Sequence, residues 1–208
     1  MSLKKKDINA LFKNIRNRNN EDAKELLSQI PELVNSCRKA PPKKDDGQSP
    51  LQVAFKTGNF EIADYLIDLG AYINFIDSSE INEWNMPVLH DALRAAVFTS
   101  THKGYRKQDF ESALRLLNKL LNLGANPNTE DSYENTPTVR ALLDSRQVIN
   151  SDPSFPESIS DSELEAALRQ VFFELYKAGA DFKDAVSRLD WVGVEKETAL
   201  LGLLEGHS

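Results

Sequence analysis

The sequence predicts an all-α protein, a solenoid of helix-turn-helix units that stack side by side and are joined by β-turn fingers. Apolar residues recur at helical spacing in paired segments along most of the chain. Gly-Ala pairs follow these segments at positions 70, 124 and 179, and a Pro precedes others at 50, 87 and 137. Such self-similarity is typical of repeat proteins, in which each unit covers the apolar face of its neighbour.

The most complete unit spans residues 46–74. Asp46-Gly47 suits a tight turn, because glycine tolerates positive φ. Ser49-Pro50 can cap and begin a first helix. Gly58-Asn59 ends that helix, and Gly70 ends a second one. The second helix buries four apolar residues: Ile62, Ala63, Leu66 and Ile67. With its Ser-Pro-Leu start and its three glycines, this segment resembles one complete ankyrin repeat, a β-turn followed by two antiparallel helices.

Weaker units of the same kind cover the rest of the chain, which we expect to form a single domain of residues 1–208. Two repeats carry polar insertions between their paired helices. Their composition predicts loops, with helix extension as the open alternative. The expected boundaries are an N-terminal capping repeat at 5–36, the complete repeat at 45–77, a repeat at 78–131 with an insertion at 99–109, a repeat at 132–184 with an insertion at 145–161, and a C-terminal cap at 185–208.

The charge is unevenly placed along the chain, whose net charge is −7. Residues 1–60 hold 12 Lys and Arg against 7 Asp and Glu, whereas residues 61–208 hold 13 against 25. This balance argues against a nucleic-acid partner, because such binding depends on cationic contacts to phosphates. It is compatible with a basic protein partner. The alternative is a solvated acidic face kept for solubility.

Compartment and membrane association follow from other features. A single cysteine, Cys37, allows no internal disulfide and suits a reducing compartment. No apolar run approaches 18 residues, and no secretory signal opens the chain, so neither a membrane span nor export is expected. We expect a cytoplasmic monomer. The Asn, Lys and Ile content suits an AT-rich genome, such as that of a bacterium.

No catalytic, cofactor or metal site is predicted. The chain has three His and one Cys, and none of them shows the spacing of metal ligands. No glycine-rich phosphate loop follows a strand pattern. The best polar pair is His90-Asp91, and the resemblance implies that His90 hydrogen-bonds the backbone of a neighbouring turn. We therefore expect a non-enzymatic protein.

The resemblance further implies a concave face, lined by finger tips and first helices, that binds a protein partner. Trp84 is its most informative member, because Trp, Tyr and Arg are enriched among interface hot spots. It either anchors a partner or folds back onto the finger of the next repeat. The predicted partner-binding residues are Asp45, Gln48, Gln52, Lys56, Glu83, Trp84, Asn85, Asp91, Arg94, Tyr133, Glu134, Arg140 and Asp144.

Three functions remain open at this point. The resemblance and the missing catalytic constellation favour a protein-protein interaction module. A narrower alternative is an inhibitor, similar to ankyrin-type immunity proteins that neutralise toxins, in which acidic residues would cover a basic active site. The third is an enzyme with an unrecognised site near the two insertions.

Overall fold

The computed structural model describes residues 3–100, 107–150, 162–187 and 202–203. Nine α-helices and one 3₁₀ helix make up the regular structure of these ranges. They are α1 (Lys5–Asn17), α2 (Asn20–Gln29), the 3₁₀ helix (Pro31–Asn35), α3 (Pro50–Lys56), α4 (Phe60–Asp68), α5 (Val88–Thr99), α6 (Lys107–Asn122), α7 (Pro137–Asn150), α8 (Ser162–Lys177) and α9 (Phe182–Ser187).

The helices form two layers, as predicted for an all-α fold of stacked pairs. The first helices α1, α3, α5 and α7 pack in succession, and the second helices α2, α4, α6 and α8 do the same. A continuous apolar core lies between the layers. Its largest fully buried side chains include Phe12, Phe55, Leu89, Leu93 and Phe172. Burial of these faces stabilises the stack, because no single helix pair could remove its own apolar stripe from water.

Helix α3 begins as its sequence predicts. The Ser49 hydroxyl accepts a hydrogen bond from the Gln52 backbone N–H at 3.2 Å, and Gln52 Oε1 accepts one from the Ser49 N–H at 3.0 Å. This reciprocal capping box satisfies two amides that the helix itself leaves unpaired. Helix α5 begins differently, because Pro87 is extended and lies outside the helix, which starts at Val88. The extra residue between Pro87 and Leu89 thus becomes the first helical position.

Both insertions contribute to helices, so their interpretation as loops is partly wrong. Thr99 belongs to α5 and residues 107–109 to α6, and residues 145–150 extend α7 to 14 residues. The reason is that buried positions continue at helical spacing into the polar stretch: Ala141, Leu142, Ser145 and Val148 all face the interior. The remaining insertion residues, 101–106 and 151–161, lie outside the described ranges.

The C-terminal region begins with a short helix rather than a finger. Phe182, at the start of α9, packs edge-on against Phe172 and Tyr176, with ring centroids 6.5 and 6.1 Å away. The predicted half repeat at 197–204 falls outside the described residues except for 202–203.

Asparagines join successive repeats by one recurring arrangement. Each Asn side-chain oxygen accepts from a backbone N–H that lies two residues beyond the glycine ending the next repeat, at 2.7–2.9 Å. Its side-chain nitrogen donates to the carbonyl of that glycine, at 3.1–3.3 Å. The pairs are Asn35 with Gly70, Asn74 with Gly124, and Asn128 with Gly179. The repeats therefore keep one register although their lengths differ.

Gly47 is expected to be the least replaceable glycine among those at positive φ. Its φ is +79°, and an added Cβ would lie 2.5 Å from the backbone of Ser78 in the next finger. Gly47→Ala should lower the free energy of unfolding by about 2–3 kcal/mol, since backbone strain and overlap add together. Urea denaturation measures this loss.

Gly70→Ala is the matched control for this prediction. Gly70 has a similar φ of +83° but open space around the added Cβ. Gly70→Ala should therefore lower the free energy of unfolding only through backbone strain, by about 1 kcal/mol. Equal losses in the two variants would contradict close packing between the fingers.

Candidate partner-binding groove

A groove of about 780 Å³ lies between two fingers and the first helices α3 and α5. The finger before α5, residues 77–87, forms one wall, and the end of α3 forms another. Tyr133, from the finger before α7, closes one end. The side chains that line the groove and are also exposed are Arg18, Lys56, Ile81, Asn82, Glu83 and Tyr133. The groove thus lies among finger and first-helix residues, which are the parts of the repeat that the resemblance implied for partner binding.

Aromatic rings hold Arg94 in this groove. Its guanidinium lies 5.2 Å from the Trp84 ring centroid and 5.3 Å from that of Phe98. Its Nη1 donates to Asp144 Oδ1 at 3.1 Å. Arg140 stacks on Trp84 as well, at 4.5 Å. Such cation–π contacts restrict these side chains to one arrangement, so this part of the groove is pre-formed.

Asp131 organises the wall behind Trp84. Its Oδ2 accepts from Trp84 Nε1 at 2.9 Å and from Arg140 Nη2 at 2.8 Å. Its Oδ1 accepts from the backbone N–H groups of Tyr133 and Asn135 at 2.9 and 3.0 Å. Burial tends to raise the pKa of Asp131, but Arg140 and the other donors hold it below its ordinary value. Trp84 therefore folds back onto the finger of the next repeat, which was the second of its two predicted roles.

Asp131 was missing from the predicted site. It lies 47 residues from Trp84 in the chain, so no local pattern joins them. The sequence did contain one indication of its role. Asp131 lies in the finger shortly before Thr136-Pro137, just as Asp45-Asp46 lies shortly before Ser49-Pro50. Ile81 and Phe98, two further lining residues, were also not singled out.

Five of the predicted partner-binding side chains are less than one-tenth exposed, and those of Asp45 and Gln52 join neighbouring repeats. Asp45, for example, pairs with Arg16, with Nε and Oδ2 2.6 Å apart, and with Arg38 at 3.1 Å. Gln52 Nε2 donates to the Met86 carbonyl at 2.9 Å, which joins α3 to the next finger. These five residues are almost completely buried: Asp45, Gln48, Gln52, Asp91 and Asp144.

The other eight predicted residues retain surface. Lys56, Glu83, Tyr133 and Glu134 are exposed, and Tyr133 is 57% exposed. Four are half-buried: Trp84, Asn85, Arg94 and Arg140. The groove brings together Lys56, Glu83, Trp84, Arg94 and Tyr133, whereas Asn85, Glu134 and Arg140 do not line it.

Burial shifts the titration of several groups beside or beneath the groove. It raises the pKa of Asp91 to about 7 and that of Asp144 to about 6. It lowers the pKa of His90 to about 4, so His90 is neutral at pH 7. His90 Nε2 lies 3.2 Å from the Thr129 carbonyl in the next finger. This is the structural role that the resemblance implied.

Neither a metal-binding cluster nor a membrane-spanning helix is present among the described residues. Within those ranges no group of three or more His, Cys, Asp or Glu is arranged to hold a metal ion. None of the helices there combines the length and apolar character that crossing a membrane requires.

Comparison with known proteins identifies the central unit. Residues 46–78 match the family model for the ankyrin repeat. A search of curated proteins finds no match to this chain. The matched segment contains the turn at Gly47, helices α3 and α4, and the start of the finger that forms the groove wall. Residues 46–78 are therefore similar to an ankyrin repeat, and the stacked helix pairs around them are consistent with the all-α fold of an ankyrin-repeat protein.

Proposed function

We propose that this chain is a non-enzymatic interaction module that binds a protein partner in the groove between its fingers and first helices. Ankyrin repeats mediate protein-protein binding, which supports the general class. The observation that supports the particular face is the pre-formed clamp of Trp84, Arg94 and Phe98, flanked by exposed Ile81 and Tyr133. Exposed apolar and aromatic side chains beside a rigid cationic centre are typical of an interface hot spot.

The groove also has the size and character of a peptide-binding surface. Its volume of about 780 Å³ would hold several side chains of a partner. Its polar and apolar groups are interspersed, as in interfaces that form and dissociate. The inhibitor alternative is a special case of this proposal, in which the partner is a basic toxin or enzyme. The enzyme alternative depends on insertion residues that largely lie outside the described ranges.

Replacing Ile81 by Ser and Tyr133 by Ala together should abolish capture of the partner. Both side chains are exposed and line the groove, and neither is part of the core. We expect affinity to fall by about 30-fold, which corresponds to the loss of one hot spot. The measurement is affinity capture from the source cells at low and high salt, with the bound proteins identified and their stoichiometry determined.

Tyr72→Ala is the matched control for this experiment. Tyr72 is 61% exposed but does not line the groove. A partner retained by the wild type and by Tyr72→Ala, and lost by the double variant, supports the proposal. A partner that the double variant still retains, or the absence of any stoichiometric partner, overturns it.

A further inference from the structure

Two buried oxygen atoms at the groove floor receive no hydrogen bond from the residues that the structure describes. They are Asp91 Oδ2 and Gln48 Oε1. Asp91 is 2% exposed and Gln48 4%, and both residues line the groove. Buried polar atoms are nearly always paired in folded proteins, so each exception requires an explanation. A donor supplied by a bound partner explains both of them.

The charges around these atoms indicate which donor fits. Four acidic residues of the described ranges line the groove: Asp77, Glu83, Asp91 and Asp109. Two of the lining cations already have partners within the protein. Arg94 donates to Asp144, and Arg18 donates to the carbonyls of Thr57 and Gly58 at 3.3 and 3.2 Å.

Lys56 is the remaining cation among the described residues that line the groove. It is exposed on the rim, and its charge acts on Asp77 and Asp91 through space. The position of Lys56 therefore indicates that the acidic groups at the floor attract a cation. Apolar rings of Phe55 and Phe98 line the same cavity and could pack against an aliphatic stem.

We propose that the groove receives a lysine or arginine side chain of the partner, whose cationic head donates to Asp91 Oδ2 and Gln48 Oε1 at the floor. This inference rests on the proposed function, because it names the chemistry of the partner at the same groove. The aliphatic stem of that side chain packs between the aromatic residues, and its charge balances Asp77 and Asp91. Lys56, on the rim, competes with it for these carboxylates.

The first test is selection of random dodecapeptides displayed on phage, with the full chain immobilised. The wild type and Asp91→Asn are used in parallel. Asp91→Asn keeps the shape of the side chain and removes a buried ionisable carboxyl group, so its fold should be retained. We expect peptides that share one basic residue on the wild type, and loss of that preference on Asp91→Asn. Enriched peptides without a basic residue, or the same set on both proteins, would overturn the inference.

A double-mutant cycle then tests direct contact. The selected peptide and a version with norleucine or citrulline at the basic position are titrated against both proteins by fluorescence anisotropy. The neutral peptide should bind the wild type about 10-fold or more weakly, and Asp91→Asn should bind both peptides alike. Lys56→Met should bind the basic peptide more tightly, because it removes the competing charge. Additive effects at Asp91 and the basic residue would contradict the contact.

These outcomes are distinguishable from failure of the proposed function. If capture from cells succeeds while selected peptides lack a basic residue, the groove binds a partner but not through this contact. If no peptide is enriched, the inference fails, and the proposed function is decided by the capture experiment with the Ile81 and Tyr133 variant.

Discussion

Asp131→Ala is expected to lower the free energy of unfolding by about 3–5 kcal/mol, the loss typical of breaking a buried ion pair. Asp131 is 6% exposed and accepts from Trp84 Nε1 and Arg140 Nη2. Without its carboxylate, the Arg140 guanidinium loses its ion-pair partner and the Trp84 indole loses its hydrogen-bond acceptor. The finger before α7 also loses the bonds to its backbone at Tyr133 and Asn135.

Urea denaturation followed by circular dichroism measures this loss. The indole N–H resonance of Trp84 gives a second readout, which should move or exchange faster in the variant. Asp68→Ala is the control, because Asp68 pairs with Lys119 at an exposed site, where a salt bridge contributes less than about 1 kcal/mol. If Asp131→Ala costs no more than Asp68→Ala, then Asp131 does not organise this wall.

Asp91→Asn should remove a large pH dependence of stability. Burial raises the pKa of Asp91 from 3.8 to about 7. Between these values the folded protein holds a proton that the unfolded chain has released, so the free energy of unfolding falls as pH rises through this window. The fall is about 1.4 kcal/mol per pH unit. Asparagine does not titrate, so the free energy of unfolding of the variant should rise relative to that of the wild type between pH 4 and pH 7. The difference should reach up to about 4 kcal/mol and stay constant above pH 7.

The measurement is the urea midpoint of both proteins from pH 4.5 to pH 8. His90 acts in the opposite direction, because its pKa falls from 6.5 to about 4 on folding and its contribution is lost as pH falls through that interval. Asp144 acts in the same direction as Asp91. Both groups are present in the two proteins and largely cancel in the difference. Parallel curves for wild type and variant would show that Asp91 is ionised throughout.

Prediction from sequence succeeded where a feature depends on neighbouring residues. The capping box at Ser49 and Gln52, the turn at Gly47 and the helix end at Gly70 each involve residues only a few positions apart. The same holds for the apolar stripes of most helices. For residues 145–150 the polar composition predicted a loop and left helix extension open. The structure shows the extension, because buried positions recur there at helical spacing.

By itself the sequence determined the all-α class and the succession of helix pairs. Tertiary structure alone decided which of the finger and first-helix residues are accessible. Trp84 lies against Asp131, and Arg94 against Asp144, across 47 and 50 residues of chain. Such pairs depend on how one repeat stacks upon the next, and no local pattern in either repeat specifies them. For the same reason Asp91 and Gln48 were predicted as contact surface, and only their burial beneath the fingers shows that they form the groove floor.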